Sequence, residues 1–291
     1  MPSRSIRPRP SMSRSPFPPR LGAAFVLAAA LGACASAPAP VSTGHGAIPA
    51  PAPTGYLQGD AIPDSLALSP PPPAPGSAWA ALDDAVARQA TALRGSARFQ
   101  QAHADADLRF PAGAGQFSCA LGVPVDAGRT PALYRLLQRS LIDASAATRA
   151  AKNRYQRPRP FMVNGQPTCT PDDEPHLRGS GSYPSGHTAI GWAWALILAE
   201  IAPERATALL ERGRNYGHSR LVCNVHWYSD VQQGQAMGAA TVARLHDNAG
   251  FRADLAAARQ EIAAARVQAL PVPRDCAAEA ATLETDLPEA R

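Results

Sequence analysis

The sequence predicts an all-α protein folded as a compact helical bundle domain, and three observations carry that prediction. Apolar residues recur at spacings of three and four in several separate stretches, the period of an amphipathic helix. Ala189–Ile201 is strongly apolar and reads as a buried helix. No stretch sustains the alternation of a half-buried strand.

The elements follow in chain order. Arg4, Arg7, Arg9, Arg14 and Arg20 form a positive leader, and Leu21–Ala33 is an apolar run of 13 residues, too short to span a bilayer. Together, residues 1–33 read as a signal peptide. Leu31-Gly32-Ala33-Cys34 resembles a lipobox, in which Cys34 accepts lipid and becomes the first residue. Ala33-Cys34-Ala35 also fits the small-x-small rule of ordinary cleavage. We favour the lipobox, which predicts an exported, periplasmic protein with a lipid anchor to the outer membrane. Residues 34–60 are rich in Ala, Pro, Gly and Ser and read as a flexible tether. Pro70-Pro71-Pro72-Pro73 should be extended polyproline. The domain is expected over 61–266. Trp79, Leu82 and Val86 mark its first helix, and Leu133, Leu136, Leu137 and Leu141 another, opened by Pro131 at the first helical position. Pro203–Tyr216 and Val225–His246 read as further helices, with Gly234 and Gly238 suggesting a close helix contact. Residues 267–291 carry three prolines and many acids and are expected to form a loose tail, pinned if Cys276 is cross-linked.

Bulk charge excludes one class of function. The chain has 28 basic and 23 acidic residues, but the five leader arginines lower the basic count to 23, so the remainder is formally neutral. Charge therefore gives no support to nucleic-acid binding. The basic residues comprise 27 arginines and one lysine, Lys152, which marks that position as one where a compact ammonium suits better than a guanidinium. Setting Cys34 aside leaves Cys119, Cys169, Cys223 and Cys276, an even number for an oxidising compartment, with three possible pairings. No Cys-x-x-Cys is present, so no zinc or other metal site is expected.

Three segments carry the chemistry. In the last, Ser219-Arg220 precedes His226 by a short loop, and His226 and Asp230 stand at i and i+4, on one face of a helix. A carboxylate there binds one ring nitrogen and leaves the other as a nucleophile. In the middle segment, Tyr183-Pro184-Ser185-Gly186-His187 leads into the apolar helix. A helix N-terminus offers unpaired N–H groups to a phosphate; Gly186 permits close backbone approach, Ser185 can donate, and His187 can protonate a leaving alkoxide. The first segment, Lys152 to Pro160, supplies Lys152 and, between two prolines, Arg159. Arg154 and Arg157 are left unassigned, as surface charges. His103, Asp105 and Asp107 read as a solvated face, because i and i+2 diverge on a helix.

These segments resemble the phosphatidic-acid phosphatase type 2 superfamily, whose pattern is Lys-x6-Arg-Pro, Pro-Ser-Gly-His and Ser-Arg-x5-His-x3-Asp. The string GSYPSGHT is similar to the signature of the bacterial class A non-specific acid phosphatases. The resemblance spans roughly residues 56–265. It implies a helical, usually dimeric hydrolase of phosphate monoesters (nucleotides, sugar or aryl phosphates) that needs no metal or cofactor. It implies His226 as nucleophile, Asp230 as its orienting group and His187 as acid, then base. Lys152, Arg159, Ser185, Gly186 and Arg220 would hold the phosphoryl oxygens. It further implies an acidic optimum. Asn224-Val225 stand where some members have Gly-Tyr, a change expected to bear on the pocket wall. A vanadate-dependent haloperoxidase shares the anion-binding pattern, a lipid phosphate phosphatase is a closer alternative, and a surface lipoprotein with a binding-only pocket is a third.

Overall fold

The computed structural model describes residues 53–285 and 287. The signal peptide, the lipid acceptor Cys34 and most of the tether lie outside the described residues. Among the described residues the regular structure is helical, with no strand. Nine helices frame the site: α1 (Ala78–Ala92), α2 (Ala97–Ala104), α3 (Pro131–Ala146), α4 (Arg149–Tyr155), α5 (Gly186–Ile201), α6 (Ala206–Val222), α7 (Tyr228–Leu245), α8 (Ala249–Val267) and α9 (Cys276–Leu283). None of the described helices is long and apolar enough to cross a membrane.

Helix α5 is central, as its apolar sequence predicts. Ala189, Ile190, Ala193, Trp194, Ile197 and Leu198 are all buried, and α3, α6 and α7 pack around them. Trp194 donates its indole N–H to the Leu137 carbonyl at 2.9 Å, so the polar edge of the largest core side chain is satisfied. Phe110, Phe117 and Tyr216 meet the Trp194 ring. Pro131 opens α3, whose Leu133, Leu136 and Leu137 are fully buried. Both predicted small residues of α7 lie at the crossing with α5: a Cβ on Gly234 would stand 2.6 Å from the Ser185 carbonyl oxygen, and one on Gly238 would stand 2.5 Å from that of Ala189.

The structure departs from the sequence reading in three places. First, α1 buries Asp83, Val86 and Ala90, whereas Trp79 is 56% exposed. The periodicity found the helix but put its apolar stripe on a neighbouring face, since it had no reason to place an acid inside. Second, Tyr56 and Leu57 are buried within the span expected as tether; their backbone N–H groups donate to the buried Asp143 carboxylate, both at 2.9 Å. Third, part of the expected loose tail is helix α9. Cys276 is disulfide-bonded to Cys119, and Glu279 pairs with the buried Arg212 at 3.2 Å.

The remaining cysteines, Cys169 and Cys223, pair with each other. The Cys119–Cys276 bridge joins residues 157 apart, and such long loops give the largest restriction of the unfolded chain. Replacing both cysteines with serine is expected to lower the unfolding free energy by about 2–4 kcal/mol. Urea denaturation of the two forms measures this.

Candidate active site

The three chemistry-bearing segments meet at the end of the bundle where α5 and α7 begin and α6 ends. Backbone hydrogen bonds stitch them together. Ser182 N–H donates to the Arg157 carbonyl, and Ser185 N–H to the Asp230 carbonyl, both at 2.9 Å. The His226 N–H donates to the Arg220 carbonyl at 3.3 Å. The Cys169–Cys223 disulfide closes the loop that delivers His226.

His226 is placed by a cap rather than by a helix face. Helix α7 starts at Tyr228, two residues later than His226 itself, and Trp227 is its N-cap. Asp230, in the first turn, accepts the Trp227 N–H on Oδ2 at 2.9 Å, and the same oxygen faces His226 Nδ1 at 3.3 Å. A carboxylate only accepts, so Nδ1 carries the proton. The other ring nitrogen, Nε2, lies 3.2 Å from Arg159 Nη1, which only donates. The lone pair of Nε2 therefore points to the side where Arg159 lies, in the direction a nucleophile must face.

Three cations surround that lone pair. Arg159 is pinned by backbone: its Nε donates to the carbonyls of Leu177 and Ser180, and Nη1 to that of Val225 at 3.0 Å. Lys152 Nζ donates to the Gly181 and Ser182 carbonyls at 3.0 and 3.3 Å. Arg220 differs. It is 2% exposed, yet its Nε and Nη1 have no partner among the described residues. A buried guanidinium with unused donors is costly, and an anion in the pocket relieves that cost. Burial pushes Arg159 and Arg220 each down to about 10.

Ser185 caps α5. Its Oγ accepts from Thr188 N–H and Oγ1 at 3.3 and 2.9 Å, which leaves its own hydrogen to donate outward. A Cβ on Gly186 would meet Thr148 Oγ1 at 3.6 Å and Lys152 Cε at 3.8 Å, ordinary contacts, so packing does not demand glycine there. His187 Nε2 donates to the Ala106 carbonyl at 3.0 Å, leaving Nδ1 as the atom that can take and return a proton. Burial, reinforced by Arg220, holds His187 well below the ordinary histidine range; burial and then Arg159 do the same for His226. Both environments favour the neutral ring.

All eight predicted residues thus converge, and four others matter that sequence reasoning did not assign. Arg157, left as a surface charge, is in fact a bridge: it pairs with Asp230 at 2.6 Å and with Asp83 at 2.7 Å. Asp105 is fully buried rather than on a solvated face. It pairs with Arg212 and accepts the Ser219 hydroxyl at 2.6 Å, beside the Ala106 carbonyl that holds His187. The readable sign was Asp83 at i, with Val86 and Ala90 at i+3 and i+7: an acid on an apolar stripe. The Val225 carbonyl accepts from Arg159, while the side chains of residues 224 and 225 are engaged elsewhere. The Asn224 amide pairs with Asn164 at 2.8 Å, and Val225 is buried in an apolar cluster with Val222 and Val231.

Among the described residues no group of three or more His, Cys, Asp or Glu side chains is placed to hold a cation. The three cations suit the pocket to binding an anion. Lys152 makes that binding pH-dependent, because burial, with Arg159 adding to it, pushes its ammonium down to about 7. The cation is present below that value and lost above it. Sulfate keeps its charge throughout, so its affinity is expected to fall by about tenfold or more as pH rises through the Lys152 transition. Lys152→Met should bind sulfate weakly at every pH, without that step; calorimetric titration reads both.

The model of the PAP2 superfamily matches residues 134–251. The chain is 43% identical over 206 residues to an acid phosphatase of Zymomonas mobilis subsp. mobilis, a match covering 71% of this chain and 78% of that one. It is 44% identical over 209 residues to a non-specific acid phosphatase of Providencia stuartii, covering 72% and 84%. A non-specific acid phosphatase of Salmonella typhimurium is 41% identical over 194 residues, covering 66% and 78%.

Proposed function

Because this chain belongs to the class A non-specific acid phosphatases of the PAP2 superfamily, and is a phosphoric monoester hydrolase, we propose that it acts through a phosphohistidine on His226 without a metal. The supporting observation is the His226 ring itself, with Nδ1 on Asp230 and Nε2 turned toward Arg159 amid three buried cations. Lys152, Arg159, Arg220, the Ser185 hydroxyl and the Gly186 N–H hold the phosphoryl oxygens. Phosphoryl transfer depends on such positioning and charge stabilisation.

Nε2 of His226 attacks phosphorus, the bond to the leaving oxygen breaks, and His187 gives that oxygen a proton. Asp230 stabilises the positive imidazole ring so formed. His187 then takes a proton from water, the water oxygen attacks phosphorus, and the P–N bond breaks to release inorganic phosphate. An alcohol in place of water gives phosphotransfer. His187 must gain its proton as the substrate arrives, since burial, reinforced by Arg220 and Arg159, disfavours its charged form beforehand; the dianion offsets those cations and lifts its affinity for the proton. Binding coupled to proton uptake favours an acidic optimum.

Purified, disulfide-intact protein lacking residues 1–34 should hydrolyse p-nitrophenyl phosphate between about pH 5 and 7 with EDTA present. Rapid quenching should trap an acid-labile, base-stable phosphoryl adduct on His226. Loss of activity with EDTA, or no adduct under turnover, overturns the mechanism. The same reading includes substrates among nucleotides, sugar and aryl phosphates, a homodimer, and export to the periplasm with Cys34 acylated. Light scattering and palmitate labelling against Cys34→Ser test the last two.

A further inference from the structure

Behind the nucleophile, on the side away from Nε2, four charged or polar groups form a connected, largely buried chain. Asp83 of α1 is 2% exposed and Asp230 is fully buried. The Asp83 Oδ1 accepts the Ser229 backbone N–H at 2.7 Å, and Oδ2 accepts both the Ser229 hydroxyl and Arg157 Nη2 at 2.7 Å. The other terminal nitrogen of Arg157 donates to Ser229 Oγ at 2.8 Å and to Asp230 Oδ1 at 2.6 Å. That engages the Asp230 oxygen that does not serve His226. The guanidinium also lies over the Trp227 ring, 5.3 Å from its centroid.

Two carboxylates and one guanidinium alternate in sign, so Asp83 offsets the charge that Arg157 brings close to His226. A carboxylate held on one oxygen by a guanidinium N–H, itself anchored through its second nitrogen to Asp83, and on the other by a backbone N–H resists rotation about its side-chain bond. Its Oδ2 then fixes the plane of the imidazole. We propose that Asp83 and Arg157 are positioning residues for phosphoryl transfer: they aim Nε2 of His226 by locking Asp230. This rests on the phosphohistidine reading above. It brings α1, which supplies none of the pocket residues, into the catalytic apparatus.

A second observation makes the proposal testable by rescue. Asp83 and Arg157 line a cleft of about 620 Å³ whose other walls include Pro71, Pro73, Tyr155 and Trp227. Truncating Arg157 therefore leaves a vacancy that a small cation can enter from solvent. Arg157→Ala is expected to lower kcat about 100-fold, the cost of a nucleophile displaced by an ångström or so. KM and sulfate affinity should stay within about twofold, because the anion pocket is untouched. Guanidinium chloride, at concentrations too low to denature, should restore kcat about tenfold in Arg157→Ala and leave the wild type unchanged. Asp83→Asn should lower kcat in the same way, and the double variant should be no worse than Arg157→Ala alone.

A structural role alone predicts otherwise: sulfate affinity and melting temperature fall together, guanidinium restores nothing, and the two substitutions add. Any of those results overturns the proposal. The wild-type adduct separates the two levels of inference. If wild-type protein forms no phosphohistidine, the mechanism falls. If it forms one and the variants form it at the wild-type rate, only the role of Asp83 and Arg157 falls.

Discussion

His226→Ala is expected to cut kcat/KM for p-nitrophenyl phosphate on the order of 10⁴-fold or more, while sulfate still binds. The two halves of that result come from different parts of the site. In the proposed mechanism anion affinity resides in Lys152, Arg159, Arg220 and the start of α5, none of which depends on the imidazole for its place. Arg159 is anchored to the carbonyls of Leu177, Ser180 and Val225. Turnover by the proposed mechanism, by contrast, needs the lone pair on Nε2. Retention of activity within about tenfold would mean that water attacks phosphorus directly, since no comparable nucleophile among the described residues is aimed at the pocket. His187→Ala should behave differently. A nitrophenolate leaves without a proton, so phosphohistidine still forms and then accumulates, because the water that must break it has lost its base. An alkyl phosphate, whose alkoxide needs the proton, should lose the first step as well. Quenched-flow measurement of the adduct with both substrates distinguishes these effects.

The second large effect is structural. Gly234→Ala should destabilise the protein by about 1–3 kcal/mol and lower kcat together with anion affinity. The added Cβ would sit 2.6 Å from the Ser185 carbonyl oxygen and 2.8 Å from Thr188 Cβ. Neither obstacle is the flexible end of a side chain, so one helix must move off the other, and the helix that moves carries Ser185, Gly186 and His187. Gly115→Ala is the control. A Cβ there meets nothing within 4 Å, and the position lies in a helical turn, so the change should be neutral or slightly stabilising. Urea denaturation and sulfate titration of both variants provide the comparison.

How much of this was legible in the sequence varies by residue, for physical reasons. The pocket was legible because its chemistry demands particular residue types at short spacings: Ser185, Gly186 and His187 are consecutive, and Arg220, His226 and Asp230 sit within one loop and a turn. The central helix was legible because a helix buried all round must be apolar all round. What failed were inferences about which way a residue faces. Trp79 and Asp83 are one turn apart on α1, and hydropathy alone puts the tryptophan inside. The structure does the reverse, because Asp83 is compensated by Arg157, 74 positions later. Asp105 was read as solvated for the same reason, its partner Arg212 being 107 positions away. Buried ion pairs between distant segments leave no local period. Likewise His226 and Asp230 were paired correctly but for the wrong cause: a cap places i and i+3 or i+4 together as readily as a helical face does.

Lys152 has a practical consequence. It is the one lysine in the chain, and its ammonium is buried and pushed down to about 7. Reagents that acylate amines ordinarily decorate a protein's surface at many points, each mostly protonated and slow to react. Here the same chemistry would find a single lysine side chain besides the terminal amine, one that burial shifts toward the reactive neutral form. Labelling of that lysine should be blocked by phosphate and should report occupancy of the pocket. Amine coupling, a routine step in binding assays, would silence every molecule that it tethers through Lys152.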